Sequence, residues 1–324
     1  MTNTIARGAP YLRTGMKVHV MVLWMFSTLA VLASLYSVFY DPVFILRFIG
    51  FSALGFAMET LYYLLAEGRF RFMSASSAVT AGLLLLSIPA RMPLMPIMFS
   101  LAFALFFAKI PVSENAIHFN PMLVARLFLM LAFSQNVNDW LVHGMADTVT
   151  CATPLQLFHN EGATYELLRI LTGKIGGNWE GLYEIVPCSP GEMFTPFIAL
   201  AGVFLSIKGV LKWQTGASFL IAFSITTFAV GSPVVYSVLT GSVVFASVFI
   251  AGDYKTTPMS KSGRIFAGLI AGAADALIRK YTIYAEGIVF SFLLVNLVSP
   301  TLDRMAFYAR SRRAGVGHSR PPPS

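Results

Sequence analysis

Thr153 is a side chain whose type and setting could present a hydroxyl for chemistry. It closes the run Asp147-Thr148-Val149-Thr150-Cys151-Ala152-Thr153 and is followed by Pro154. Asp and Thr favour turns because their side chains bond nearby backbone groups. Pro154 disfavours helix at Thr153 and keeps it extended. The run would therefore present the Thr153 hydroxyl to an outside partner. An ordinary Thr-rich turn is the other reading.

Four ionisable residues stand within or beside apolar runs: Glu59, Arg126, Asp275 and Glu286. Charge at membrane depth is costly, so each is a candidate for ion handling or ligand contact. Glu59 reads as an ion-path carboxylate or as half of an interhelical pair. Arg126 reads as the holder of an anionic phosphate or as the partner of a carboxylate. Asp275 and Glu286 lie near the ends of their runs, where water is expected to reach them. Cys151 and Cys188 are the only cysteines. Neither has partners at zinc or iron–sulfur spacing, and the five histidines form no ligand pair at helical spacing. No metal site within this chain is expected. A disulfide is permitted on the outer side of a bacterial membrane, and two free thiols are equally compatible with the sequence.

The elements that must position these residues follow from composition. Of 324 residues, 56% are hydrophobic and 12% are charged, where a soluble domain carries about 25% charged residues. Such a chain cannot cover itself with polar surface, so its solvent is largely lipid. The net charge of +8 then belongs to cytoplasmic loops rather than to a nucleic-acid interface. A span needs about 20 mostly apolar residues. The candidates are Val18–Tyr40, Ile45–Ala66, Ser74–Pro89, Pro93–Ile110, Met122–Phe133, Phe194–Ile207, Ser218–Val235, Val238–Gly252, Ile265–Ile278 and Ile283–Pro300.

The expected fold is thus all-α and integral to the membrane, with about ten transmembrane helices. Asn120-Pro121 reads as an N-cap followed by Pro at the first helical position. Met122–Phe133 is then a half-helix starting inside the membrane, or a full span whose first turn lies further back. With both termini cytoplasmic, most of the 23 basic residues fall on the inner side, among them Arg7, Arg69, Lys109, Lys208, Lys255 and Arg304. Arg279 and Lys280 fall in an outer loop.

Residues 134–193 form a long acidic outer loop, and loops of that length usually carry function. It separates a first membrane half, 1–133, from a second, 194–303, leaving a basic, Pro-rich cytoplasmic tail, 304–324, at the inner leaflet. Five spans per half require any internal repeat to be inverted. Ser76-Ser77-Ala78-Val79-Thr80…Pro89 faintly echoes Ser242-Val243-Val244…Pro258.

Several stretches, in order, carry a family resemblance. They are Ala9-Pro10-Tyr11-Leu12-Arg13-Thr14-Gly15; Ser77-Ala78-Val79-Thr80-Ala81-Gly82-Leu83-Leu84 with Pro89; Phe119-Asn120-Pro121-Met122-Leu123-Val124-Ala125-Arg126; Leu239-Thr240-Gly241-Ser242 with Thr257-Pro258 and Gly263-Arg264; and Tyr284-Ala285-Glu286-Gly287 with Asn296. Together they resemble the NqrB/RnfD family: the RnfD component of the Rnf electron-transport complex, with the NqrB component of the sodium-translocating NADH:quinone reductase as a cousin.

The resemblance implies a flavin-attachment signature, Asp-x-x-(Ser/Thr)-Gly-Ala-Thr, which joins FMN through its phosphate to the final Thr. Asp147, Thr150, Ala152 and Thr153 match it, and Cys151 stands where the family has Gly. It further implies electron relay between ferredoxin and NAD coupled to Na+ or H+ translocation, and no activity for the chain alone. The implied partners are the other Rnf subunits (A, B, C, E and G), a maturing flavin transferase and the lipid of the bacterial inner membrane. Asn120 and Arg126 become candidates for contact with a flavin, with a second, non-covalent flavin left open, and Glu59 and Glu286 candidates for an ion path. The family stretch Gly-Ser-x-Gly-Glu-x-Ser is matched at Gly191 and Glu192 and departs at Phe194. The NqrB component usually has a longer N-terminal extension, which favours Rnf. A stand-alone channel of urea-channel-like plan is the alternative from another class.

Overall fold

The computed structural model describes residues 18–67, 75–109, 119–138, 140–141, 150–151, 174–175, 184–185, 188–253, 256–282, 284 and 286–313. Helices α1 (Val18–Phe39), α2 (Phe44–Glu67), α3 (Ala75–Leu86), α4 (Leu94–Ala104) and α5 (Pro121–Ala132) make the first half. Helix α4 continues as a π turn, Leu105–Lys109. A short α6 (Ser134–Asn138) follows. The stretch before residue 188 contributes two-residue ladders: β1 (Trp140–Leu141) pairs antiparallel with β2 (Thr150–Cys151), and β3 (Lys174–Ile175) with β4 (Glu184–Ile185). The second half holds α7 (Thr195–Ile207), α8 (Trp213–Ala229), α9 (Val234–Leu239), α10 (Val243–Phe245, continuing as a π turn over Ala246–Ile250), α11 (Lys261–Tyr281) and α12 (Ile288–Arg313).

Among the described residues, α1, Phe44–Leu65 and Ile288–Ala309 are helices long and apolar enough to cross a membrane. Their outer faces carry large apolar side chains, among them Leu23, Val38, Leu46, Ile49 and Leu65. A surface of that kind is matched to lipid rather than to water. The core runs through both halves: Leu29, Leu32, Phe44, Phe48 and Leu84 are fully buried on one side, and Phe219, Phe223, Phe245 and Phe292 on the other.

Helix α11 differs from the rest in presenting a face of small residues, Gly263, Ala267, Gly268, Ala271 and Gly272, to the core. A Cβ on Gly268 would lie 2.4 Å from the Thr215 carbonyl oxygen, and one on Gly272 2.4 Å from that of Phe219. The two glycines let α8 and α11 approach backbone to backbone, as small residues do in membrane helix pairs.

Several boundaries differ from the sequence reading. Helix α8 starts at Trp213 and stops at Ala229, short of the expected Val235, because Gly231 takes a left-handed φ of 75° and Pro233 follows. The expected span 238–252 is two pieces, α9 and α10, interrupted at Thr240-Gly241-Ser242. Helix α12 begins at Ile288, five residues after the expected start at Ile283, so Glu286 precedes it. It also runs through Pro300, the expected end of this span, to Arg313. Helix α5 takes the short one of its two expected forms: Asn120 accepts the Met122 amide at 3.0 Å as N-cap and Pro121 opens the helix. Its 12 residues span about 18 Å.

Candidate functional site

Three polar clusters lie in the interior. The first belongs to the first half. Glu59, 5% exposed on α2, accepts from Lys109 Nζ at 2.9 Å and from the Ser77 hydroxyl of α3. The π turn after α4 brings Lys109 to this point. Glu59 is therefore an interhelical pair, the structural one of its two readings, while remaining a carboxylate held at depth.

The second cluster joins the halves. The Asn120 amide donates to Asp253 Oδ2 at 3.3 Å, and the Thr256 hydroxyl donates to the same oxygen at 3.0 Å. Asn296 of α12, with its amide turned to suit its neighbours, accepts from the Asn120 backbone N–H at 2.9 Å and donates to the Thr256 carbonyl at 3.2 Å.

The third cluster is the most buried. Arg126 of α5, 3% exposed, pairs through Nη2 with Glu286, so of its two readings the carboxylate partner is the one seen. Its Nε and Nη1 have no hydrogen-bond partner among the described residues. Asp275 is fully buried, contrary to the expectation that it reaches water. The small-residue face of α11 turns it inward, where Arg279 Nε donates to it at 3.0 Å. Arg279, expected in an outer loop, lies one turn further along α11 and is 8% exposed. Its guanidinium also donates to the carbonyls of Thr240 (3.3 Å) and Gly241 (2.8 Å) and lies 5.0 Å over the Phe223 ring.

Glu192 stands on the other side of the same break. It accepts from the Ser189 hydroxyl at 2.9 Å, the Ser242 hydroxyl at 2.9 Å and the Gly241 N–H at 3.1 Å. It lies in the connecting segment 188–194, outside the helices. Burial pushes its carboxyl above the usual carboxylate range, helped by the charge of Glu286 and opposed by the Ser189 and Ser242 hydroxyls and Arg126. Gly191 beside it donates to the Leu86 carbonyl at the end of α3, 2.7 Å away.

Among the described residues, the non-glycine residues with left-handed backbone are Phe194 (φ 57°) and Ser242 (φ 59°). Each costs about 1–3 kcal/mol, and such strain persists only where surroundings enforce it. Phe194 is held by ring contacts with Phe39 and Tyr40 at 5.8 Å, Ser242 by its bond to Glu192.

Of the Thr153 run, Thr150 and Cys151 are described: they form β2, with Cys151 opposite Trp140. Asp147, Ala152 and Thr153 lie outside the described residues. The backbone at Cys151 is extended, a conformation open to any residue, so nothing in it requires the family's glycine. Cys188 carries a free thiol.

Residues 5–311 match the NQR2, RnfD, RnfE family. The chain belongs to this family. It is similar to the D subunit of the Na(+)-translocating ferredoxin:NAD(+) oxidoreductase complex of Acetobacterium woodii, at 29% identity over 61% of this chain. It is also similar to the D subunit of the proton-translocating counterpart from Clostridium ljungdahlii, at 32% identity over 57%. The aligned part spans 59% of the length of each of these two relatives. A third relative, the D subunit of an ion-translocating oxidoreductase complex of Alcanivorax borkumensis, aligns over 78% of this chain and 80% of its own length at 26% identity.

Within this family member, the sequence singled out Glu59, Arg126, Asp275 and Glu286 by their depth. It missed Arg279 and Asp253, which lie beside run ends and read as loop charges. It named Glu192 only as a motif match, because its bonds to Gly241 and Ser242 cross 49 and 50 residues, a separation that no spacing rule connects.

Proposed function

We propose that this chain is the membrane subunit of a redox-driven ion pump of the Rnf type, with FMN esterified through its phosphate to Thr153. The observation that carries the reading is the spacing Asp147-x-x-Thr150-x-Ala152-Thr153 in a chain matched to the family over residues 5–311. The residues fit the group chemically. The Thr153 hydroxyl would supply the bridging oxygen, a following Pro disfavours helix at such a position, and the extended backbone at Cys151 accommodates a side chain.

When bound, the flavin supplies reversible electron transfer, while the protein supplies position and potential. Asp147, Thr150 and Ala152 are the elements a flavin transferase reads, and Thr153 is the anchor. Asn120 and Arg126 are proposed contacts for a flavin. Glu59 and Glu286 are proposed ion-path carboxylates.

The topology we propose has ten spans in two inverted halves, both termini cytoplasmic and residues 134–193 outside the inner membrane. The distribution of Lys and Arg supports it. Electrons pass between ferredoxin and NAD through the partner Rnf subunits (A, B, C, E and G), with Na+ or H+ moved in the same cycle. The chain alone is inactive.

The second reading is the NqrB component of a Na+-translocating NADH:quinone reductase. A relative from Klebsiella pneumoniae, the B subunit of such a reductase, aligns over 86% of this chain at 28% identity, which favours this reading over a stand-alone channel. Mass spectrometry of the chain co-expressed with a flavin transferase tests the flavin. The expected result is a peptide containing Thr153 heavier by one FMN phosphoester. An unmodified peptide as the sole species brings the urea-channel-like alternative forward. Electron transfer from ferredoxin rather than to quinone separates the first two readings.

A further inference from the structure

Buried charges form one chain of contacts across the junction of the halves. Arg126 of α5 pairs with Glu286. The next residue, Gly287, lies against Asp275: a Cβ added there would stand 2.6 Å from Asp275 Oδ1 and 2.9 Å from its carbonyl oxygen. Asp275 accepts from Arg279 Nε at 3.0 Å. Arg279 donates to the Gly241 carbonyl, and Glu192 accepts the N–H of the same residue. The charges of Glu286 and Arg126 act in turn on Glu192, so the two ends of the chain of contacts meet.

Three carboxylates therefore share this interior with two guanidinium groups. Among the described residues, the surrounding elements bring no cation to balance them. The break at residues 240–242 offers backbone and a hydroxyl, and α8 offers the Phe223 ring. The segment 188–194 brings the Cys188 thiol toward Glu192, with the phenols of Tyr36 and Tyr40 beyond it. Ionisation of those groups could only add negative charge. Full ionisation of the carboxylates leaves one negative charge uncompensated in a low-dielectric interior, which is strongly disfavoured. Asp275 Oδ2 marks where that charge is left bare: it is fully buried and has no hydrogen-bond partner among the described residues.

A ligand of one positive charge balances the network. A hard metal ion needs a shell of oxygens, and the oxygens here are largely engaged. Those of Glu192 accept from Ser189, Ser242 and Gly241, and the carbonyls of Thr240 and Gly241 serve Arg279. Among the described residues, no three acidic, histidine or cysteine side chains converge as metal ligands do. A proton needs a single open oxygen, which Asp275 Oδ2 provides.

We propose that Arg126, Glu192, Asp275, Arg279 and Glu286 form one proton-binding site, which holds a single exchangeable proton among its three carboxylates. Binding makes one O–H bond and breaks none in the protein, and it takes the network from one net negative charge to none. In groups coupled in this way the proton belongs to the network rather than to one residue. Glu286, its side chain 17% exposed, is the least buried of the five and is where the proton exchanges with the surroundings. Use of the site to load H+ rests on the reading of the chain as a subunit of an ion pump; the binding itself does not.

The test is infrared spectroscopy of the purified full chain in detergent at neutral pH, read as difference spectra of wild type against Asp275→Asn, Glu192→Gln and Glu286→Gln. The expected wild-type signal is one carboxylic-acid C=O band that shifts in deuterated water. Each substitution is close to isosteric and removes the excess negative charge. Each is therefore expected to abolish the band, whichever carboxyl carries the proton. Arg126→Gln removes a positive charge instead and should about double the band. A wild type without the band overturns the site, and so does a band that persists in any of the three carboxyl variants, which would mark an ordinary protonated residue. Exchanging K+ for Na+ in the buffer should leave the band unchanged, and its loss in Na+ overturns the proton as the ligand. None of these readouts needs electron transfer or pumping, so failure of the pump reading would leave them intact.

Discussion

The two halves of this protein bury charge to different ends. In the first, Lys109 and Glu59 join neighbouring helices through side chains, with the Ser77 hydroxyl as a third member. They join α2 to the π turn that continues α4 and, through Ser77, to α3. In the second, Arg279 and Glu192 direct three bonds at the backbone of a helix that stops and restarts. An interhelical pair satisfies only itself, so an apolar pair of similar size can replace it. A charge that caps broken backbone cannot be replaced so, because the carbonyls and N–H groups it served would be left bare in a low-dielectric interior.

Breaking the second arrangement should cost most. Arg279→Ala leaves the Asp275 carboxylate unpaired and two carbonyls uncapped, so thermal unfolding in detergent should show a loss of about 3–5 kcal/mol. A pair of double variants sharpens the contrast. Lys109→Met with Glu59→Leu should fold within about 1 kcal/mol of wild type, whatever it does to transport. Arg279→Met with Asp275→Leu should remain about 1–3 kcal/mol less stable, because the orphaned carbonyls persist. Equal losses in the two double variants would erase the distinction between the halves.

Asn120→Ala should cost about 1 kcal/mol through the lost cap of α5. The smallest effect is one of pH. The Glu192 carboxyl is raised above its ordinary 4.5, so the folded state holds that proton more tightly than the unfolded chain. Its contribution to stability is greatest below 4.5 and declines as pH rises toward the folded value. Glu192→Gln should remove that decline from the pH profile of thermal unfolding.

Much of this was legible in the sequence for a physical reason. The start of α5 is written locally, in Asn120-Pro121, because caps depend on neighbours two residues away. The apolar runs of α1 and α2 are set by lipid contact and read directly from composition. The break at Gly241 was not legible, because Val238–Gly252 carries no charge and its interruption is enforced by Arg279 and Glu192, more than 35 residues away. Asp275 and Arg279 were misjudged for a related reason. Their depth is set by the close approach of α8 and α11 at Gly268 and Gly272, a tertiary fact that hydropathy does not encode.

The most direct test of the account is in-gel flavin fluorescence of the denatured chain, co-expressed with a flavin transferase, for wild type and Thr153→Val. Fluorescence that survives denaturation in wild type and vanishes in Thr153→Val is the predicted result. A dark wild-type band, or a fluorescent Thr153→Val band, would contradict the assignment of covalent FMN to Thr153 and with it the electron-carrier reading.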